Sequence, residues 1–128
     1  MIAAALIFPA CNEDDDPTLQ ERLVGEWDVY SYTEDGTELV NFIIQAFTVR
    51  LDEYEGGEGD FRFSITFSDG STEIVNGFYT VNEENETIRF ESSSGDVTRF
   101  DIDLENENRV TFSGNIDGIS TIIRADRQ

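Results

Sequence analysis

Phe61-Arg-Phe-Ser-Ile-Thr-Phe67 alternates without a break, with Phe61, Phe63, Ile65 and Phe67 on one face and Arg62, Ser64 and Thr66 on the other. A period of two marks a strand with one buried face, because successive side chains of an extended chain point to opposite sides. Ser68-Asp69-Gly70-Ser71 turns the chain back into a strand over Thr72 to Val81, in which Gly77 is expected to mark a bulge or bend. Towards the C-terminus, Asn82 to Asn85 reads as a turn, followed by Thr87-Ile-Arg-Phe90 and a serine-rich turn over Ser92 to Asp96. Thr98 to Leu104 then sets Phe100, Ile102 and Leu104 against Asp101 and Asp103. Glu105 to Asn108 turns into Arg109-Val-Thr-Phe112, and Asn115 to Gly118 turns into Ile119 to Arg124.

Towards the N-terminus, Glu55 to Asp60 is an acidic, glycine-rich loop, and Phe47 to Tyr54 before it alternates as a strand. Leu39 to Phe47 is an apolar run that fits a strand or a short helix equally. Trp27 and Val29 alternate with Glu26, Asp28 and Tyr30, and Glu34-Asp35-Gly36 closes that strand. Thr18, with Glu21 three residues on, has the spacing of a capping box and predicts one helical turn before Gly25. The sum is about eight strands at the spacing of a sandwich or barrel. Hairpin connections make sequential strands antiparallel neighbours. Closing such a meander removes its exposed edges, so the expected fold is all-β, an antiparallel up-and-down barrel.

Composition narrows the chemistry. The 128 residues carry 28 Asp+Glu against 8 basic residues, all arginine, for a net charge of −20. Such a chain repels phosphate backbones, which argues against nucleic-acid partners. The chain has no histidine, so the commonest general base and transition-metal ligand are both missing. The single cysteine, Cys11, cannot form an internal disulfide. One hypothesis for the acidity is adaptation to a salty medium, where screening relieves self-repulsion. Asp101, Asp103 and Glu105, or the loop acids Asp52, Glu53, Glu55, Glu58 and Asp60, have the hard oxygen chemistry of calcium ligands but not the spacing of an EF-hand. The expectation is therefore no metal, no cofactor and no catalytic residue.

Met1 to Cys11, MIAAALIFPAC, is an apolar run too short to span a bilayer. It has the character of an export signal core with a cleavage site. With Cys11 at its end it resembles a bacterial lipoprotein signal, in which cleavage exposes the cysteine for acylation. No Lys or Arg precedes the apolar core, so the start is expected upstream of Met1. Residues 12–18, rich in acids and closed by Pro17, read as a solvated tether, and residues 19–128 as the folded domain. An acidic run after the cysteine resembles the signal that sends some lipoproteins to the outer face of the outer membrane. The resemblance implies a lipid-anchored outer-membrane protein, exposed at the cell surface and touching the membrane through its anchor only.

Leu23-Val-Gly-Glu-Trp27 resembles the Gly-x-Trp signature that opens the first strand of lipocalin-like proteins. The resemblance implies that Gly25 and Trp27 plug one barrel end, with an arginine near the end of the last strand packed over the indole. Arg124 is the expected partner and Arg127 the second choice. The inward candidates are Val29, Phe47, Phe61, Phe63, Ile65, Phe67, Phe78, Phe90, Phe100, Ile102, Phe112 and Ile123, of which Phe47, Phe61, Phe63, Ile65, Phe67, Phe78, Phe90, Phe100 and Phe112 are the candidates for lining a ligand site. These side chains either surround a calyx for a small hydrophobic ligand or fill a narrow barrel completely. The functional expectation is a monomeric, non-enzymatic envelope protein that binds such a ligand or serves as an accessory. The alternative is a protein-interaction module with a filled barrel, using a patch at Val40, Phe42, Ile43 and Ile44.

Overall fold

The computed structural model describes residues 17–128; Cys11, the apolar leader and the tether up to Asp16 lie outside the described residues. A short helix, α1 (Leu19–Leu23), precedes nine strands. These are β1 (Gly25–Glu34), β2 (Thr37–Glu38), β3 (Ile44–Glu55), β4 (Glu58–Phe67), β5 (Thr72–Asn82), β6 (Thr87–Ser92), β7 (Val97–Asn106), β8 (Arg109–Ile116) and β9 (Ile119–Arg127). Each strand from β3 to β9 pairs antiparallel with the next, β1 pairs with β3, and β9 returns to pair with β1 from Thr121↔Glu34 to Arg127↔Trp27. The result is a closed eight-stranded up-and-down barrel, with the two-residue β2 added on β1.

The turns follow from local chemistry. Asp35-Gly36 and Asp117-Gly118 each place both residues at positive φ (50° and 84°; 52° and 82°), the mirror-image turn whose twist matches that of the flanking strands. The Thr18 side chain accepts from the Glu21 amide at 3.1 Å, and Glu21 Oε1 accepts from the Thr18 amide at 2.8 Å, completing the expected capping box. Leu39 to Phe47 is neither one strand nor a helix: residues 41–43 form a turn and β3 starts at Ile44. The Asn41, Phe42, Ile43 and Ile44 amides bond Ile44 and Leu39 carbonyls instead of a neighbouring strand. Ladder irregularities fall at Ile44/Ala46, Leu51/Tyr54, Leu104/Asn106 and Arg124/Ala125 and not at Gly77. A Cβ on Gly77 would lie 2.0 Å from the Glu91 carbonyl oxygen, so glycine there permits close approach of β6.

The two barrel ends differ. One holds α1, Trp27, the C-terminal end of β9 and the β3–β4, β5–β6 and β7–β8 turns; this end is closed. Trp27 is fully buried and its Nε1 donates to the Leu23 carbonyl at 2.9 Å. Glu83, in the β5–β6 turn, accepts from the Leu19 and Gln20 amides at 2.8 and 3.0 Å and ties α1 down. Gln20 donates to the Tyr79 hydroxyl at 3.0 Å, which donates to the Asp52 carbonyl at 2.5 Å. Burial pushes the Tyr79 phenol up to about 12, against the lowering effect of the Gln20 bond.

Candidate functional site

Inward side chains fill the closed half of the barrel and leave the other half hollow. Val49, Leu51, Tyr79, Ile88, Val110 and Ala125 are at most 1 % exposed and pack beneath Trp27. In the middle, Phe90 is surrounded by the rings of Phe61, Phe63, Phe100, Phe112 and Tyr79, with centroids 4.9, 5.0, 6.1, 6.3 and 6.4 Å away. Four of these five pairs are edge-to-face and the fifth is tilted, the arrangement favoured by the ring quadrupole. Above this layer the inward positions are Gly77, Val75 and Glu73 on β5, Ser92 on β6 and Thr98 on β7, and all of these but Gly77 line the space left open.

A cavity of about 330 Å³ occupies this open half. Its walls are Tyr32, Phe47, Phe61, Phe63, Ile65, Val75, Phe90, Phe100, Ile116 and Ile123, and its mouth carries Glu73, Ser92, Ser94, Asp96 and Thr98. Six of the nine expected lining residues are therefore brought together: Phe47, Phe61, Phe63, Ile65, Phe90 and Phe100. Phe112 is buried below them, at 6.3 Å from both Phe90 and Phe100, and supports the floor. Phe67, half-buried at the rim end of β4, packs against the core without lining the cavity.

Phe78 corrects the expectation outright. It is 50 % exposed, because Val75, Gly77, Tyr79 and Val81 take the inward positions of β5 and the period of two sends Phe78 outside. Tyr32, Val75 and Ile116 were missed as wall residues. Val75 and Ile116 have the inward parity of their strands, whereas Tyr32 is out of step with Trp27, Val29 and Ser31. It faces inward beside Ile123 only because the β9–β1 ladder shifts register between Arg124 and Ala125.

Tyr32 joins wall and mouth. Its hydroxyl donates to Glu34 Oε2 at 3.3 Å, and burial, then the charges of Glu34 and Glu73, push the phenol up to about 12. Glu38 braces the wall behind it. Its carboxylate accepts from Ser31 Oγ at 2.5 Å, the Tyr32 amide at 2.9 Å and the Val40 amide at 3.1 Å. Burial alone would raise this carboxyl, but these bonds outweigh it and hold the group below the usual glutamate range.

At the closed end the cation over the indole is Arg127, not Arg124. The Arg127 guanidinium carbon lies 4.3 Å from the Trp27 ring centroid. Ile123 and Ala125 are 3 % and 0 % exposed, so alternation puts Arg127 inside and Arg124 outside. The loop acids weighed as calcium ligands, Asp52, Glu53, Glu55, Glu58 and Asp60, line a groove on the outer surface with Phe78. Among the described residues, no cluster of three or more Asp, Glu, Cys or His side chains could hold a metal ion.

The fold and cavity define a class, a small closed β-barrel with an aromatic-walled hollow open at one end. No protein-family model and no curated protein matches the chain. Among solved structures it is similar to a de novo designed fluorescence-activating β-barrel, with a TM-score of 0.64 and 21% identity, over 88% of this chain and 100% of the other. A redesigned β-barrel bound to DFHBI, mFAP1, superposes with a TM-score of 0.61 and 16% identity, over 87% of this chain and 100% of its own. At these identities the likeness establishes the barrel fold.

Proposed function

We propose that this protein is a binding protein rather than an enzyme, and that its barrel takes one small hydrophobic ligand into the open half. The observation that carries the reading is the cavity of about 330 Å³. That volume sits at the lower end of small-molecule sites, about 300–1,000 Å³, which favours a compact ligand over a long acyl chain. Apolar walls below a few polar groups at the mouth are the usual division of labour in such sites. The designed barrel with bound DFHBI is an example of a comparable small barrel that holds a dye. We further propose that acylation of Cys11 anchors the barrel to the bacterial outer membrane as a monomer, at the cell surface, with the acidic segment as tether.

Native mass spectrometry of the full chain carrying Cys11→Ser, exposed to a cell extract, tests the binding reading. A reproducible adduct of low mass, lost on Phe63→Trp, is the expected result. A bare mass under every condition would sink it. For the anchor, the wild-type chain should partition with membranes and Cys11→Ser should be released.

One observation favours the protein-interaction alternative: Phe42 and Ile43, in the turn at the open end, are 72 % and 55 % exposed. Val40 and Ile44 are buried, at 8 % and 4 %, so the exposed patch is half the expected one.

A further inference from the structure

The cavity mouth bears one sign of charge only. Four of the five connections at the open end contribute an acid: Asp35 between β1 and β2, Asp69 between β4 and β5, Asp96 between β6 and β7, and Asp117 between β8 and β9; the β2–β3 connection is uncharged. Glu34, Glu38 and Glu73 add carboxylates from the strand ends, and residues 34–43, 67–73, 92–98 and 115–119 hold no arginine. Glu73 and Asp96 belong to the cavity lining itself.

The basic residues lie elsewhere. Arg22, Arg109 and Arg127 cluster at the closed end, while Arg50, Arg62, Arg89, Arg99 and Arg124 alternate with inward side chains and so face outward. None of the eight lines the cavity, and there is no lysine or histidine to take their place. The three ion pairs among the described residues, Arg50–Asp52, Arg89–Glu91 and Arg109–Asp126, leave the mouth carboxylates out. Asp96 has a long contact, 3.4 Å, from the Ser94 hydroxyl.

Two physical effects act in the same direction here. A low-dielectric hollow beneath a ring of carboxylates focuses negative potential at its opening, which draws cations in and turns anions away. The walls add the aromatic rings of Tyr32, Phe47, Phe63 and Phe90, a residue class whose π-faces also attract a cation. We infer that the ligand is a compact hydrophobic amine, with its apolar body among the phenylalanine rings and its ammonium group between Glu73 and Asp96 at the mouth. This inference rests on the cavity being a ligand site and names the class of ligand it takes. A fatty acid or other carboxylate ligand is disfavoured on the same grounds.

The test uses three probes that share one body: 2-naphthylmethylamine, 2-naphthylmethanol and 2-naphthoate, titrated calorimetrically into the full chain carrying Cys11→Ser at about 0.15 M salt, where exposed charges are screened beyond about 8 Å. The amine should bind at least tenfold more tightly than the naphthoate, with the alcohol between. Glu73→Gln with Asp96→Asn should bring the amine to within about threefold of the alcohol and leave the alcohol unchanged. Asp103→Asn with Glu105→Gln, on the acidic outer face, should change none of the three. Equal binding of all three probes would overturn the charge preference while the cavity still binds an apolar body. Amine binding that survives Phe63→Trp would also overturn it, because the cation would then sit on the general acidic surface. If no probe binds, the ligand-binding reading and this inference fall together.

Discussion

Arg127 lies with its guanidinium carbon 4.3 Å from the Trp27 ring centroid and reaches three backbone carbonyls from there. Its Nε donates to Glu107 at 2.8 Å, and its two terminal nitrogens donate to Val24 at 2.7 Å and Arg22 at 2.5 Å. One side chain thus joins the last strand, the α1 exit and the β7–β8 turn around the plug.

Arg127→Ala is expected to cost about 2–4 kcal/mol, from the lost cation–π contact and the carbonyls left without a partner. Arg124→Ala, on the outer face, should stay within about 0.5 kcal/mol of wild type. Trp27→Ala should be the most damaging of the three, at about 3–5 kcal/mol. Urea denaturation midpoints check the order. Equal effects of the two arginine variants would remove Arg127 from its role.

Gly25 stands at φ +136°, and a Cβ there would lie 2.6 Å from an Arg127 terminal nitrogen. Gly25→Ala therefore meets backbone strain and displaces the guanidinium, a loss of about 1–3 kcal/mol. Combined with Arg127→Ala the loss should be less than additive, since the clash disappears with the side chain. A double-mutant cycle measures this directly.

The hollow should cost stability. Thr98 lines the cavity, so Thr98→Leu is expected to fill part of it and raise stability by about 0.5–2 kcal/mol. The same substitution should abolish the ligand adduct in native mass spectrometry. Phe78→Ala, on the exposed face, should leave the adduct in place. A destabilised Thr98→Leu would mean the open half has no usable room.

Glu38 makes stability depend on acid pH. Its carboxyl is held below its ordinary 4.5 in the folded chain, so the folded state favours the charged form. That contribution is complete above the ordinary value and is lost as pH falls through the lowered one. Glu38→Gln should therefore weaken the protein at neutral pH and flatten the fall in stability between neutrality and strong acid. Midpoints for both proteins from pH 7 to 3 test this; parallel curves would show that Glu38 is not held.

Much of the architecture was legible in the chain itself. The unbroken alternation of Phe61 to Phe67, the Asp-Gly turns and the short connections specify strands and their order, because strand period and turn geometry are local properties. The same parity rule, carried from Ile123 to Arg127 and from Tyr79 back to Phe78, was enough to choose the plug arginine and to place Phe78 outside. Resemblance at the level of a last-strand arginine missed what alternation contained.

The hollow was not legible in that way. Phe61, Phe63, Phe90 and Phe100 have the inward pattern of a packed core and of a ligand wall alike. Only barrel closure shows that their rings meet in one central layer, while Val75, Glu73, Ser92 and Thr98 line an unfilled space above it. Neither does the sequence order show that acids from four separate turns converge on one opening. Local sequence determined the strands, their faces and the glycine at the plug, because those depend on residues a few positions apart. Tertiary closure decided the cavity and its charge, because interior volume and electrostatic potential are sums over strands far apart in the chain.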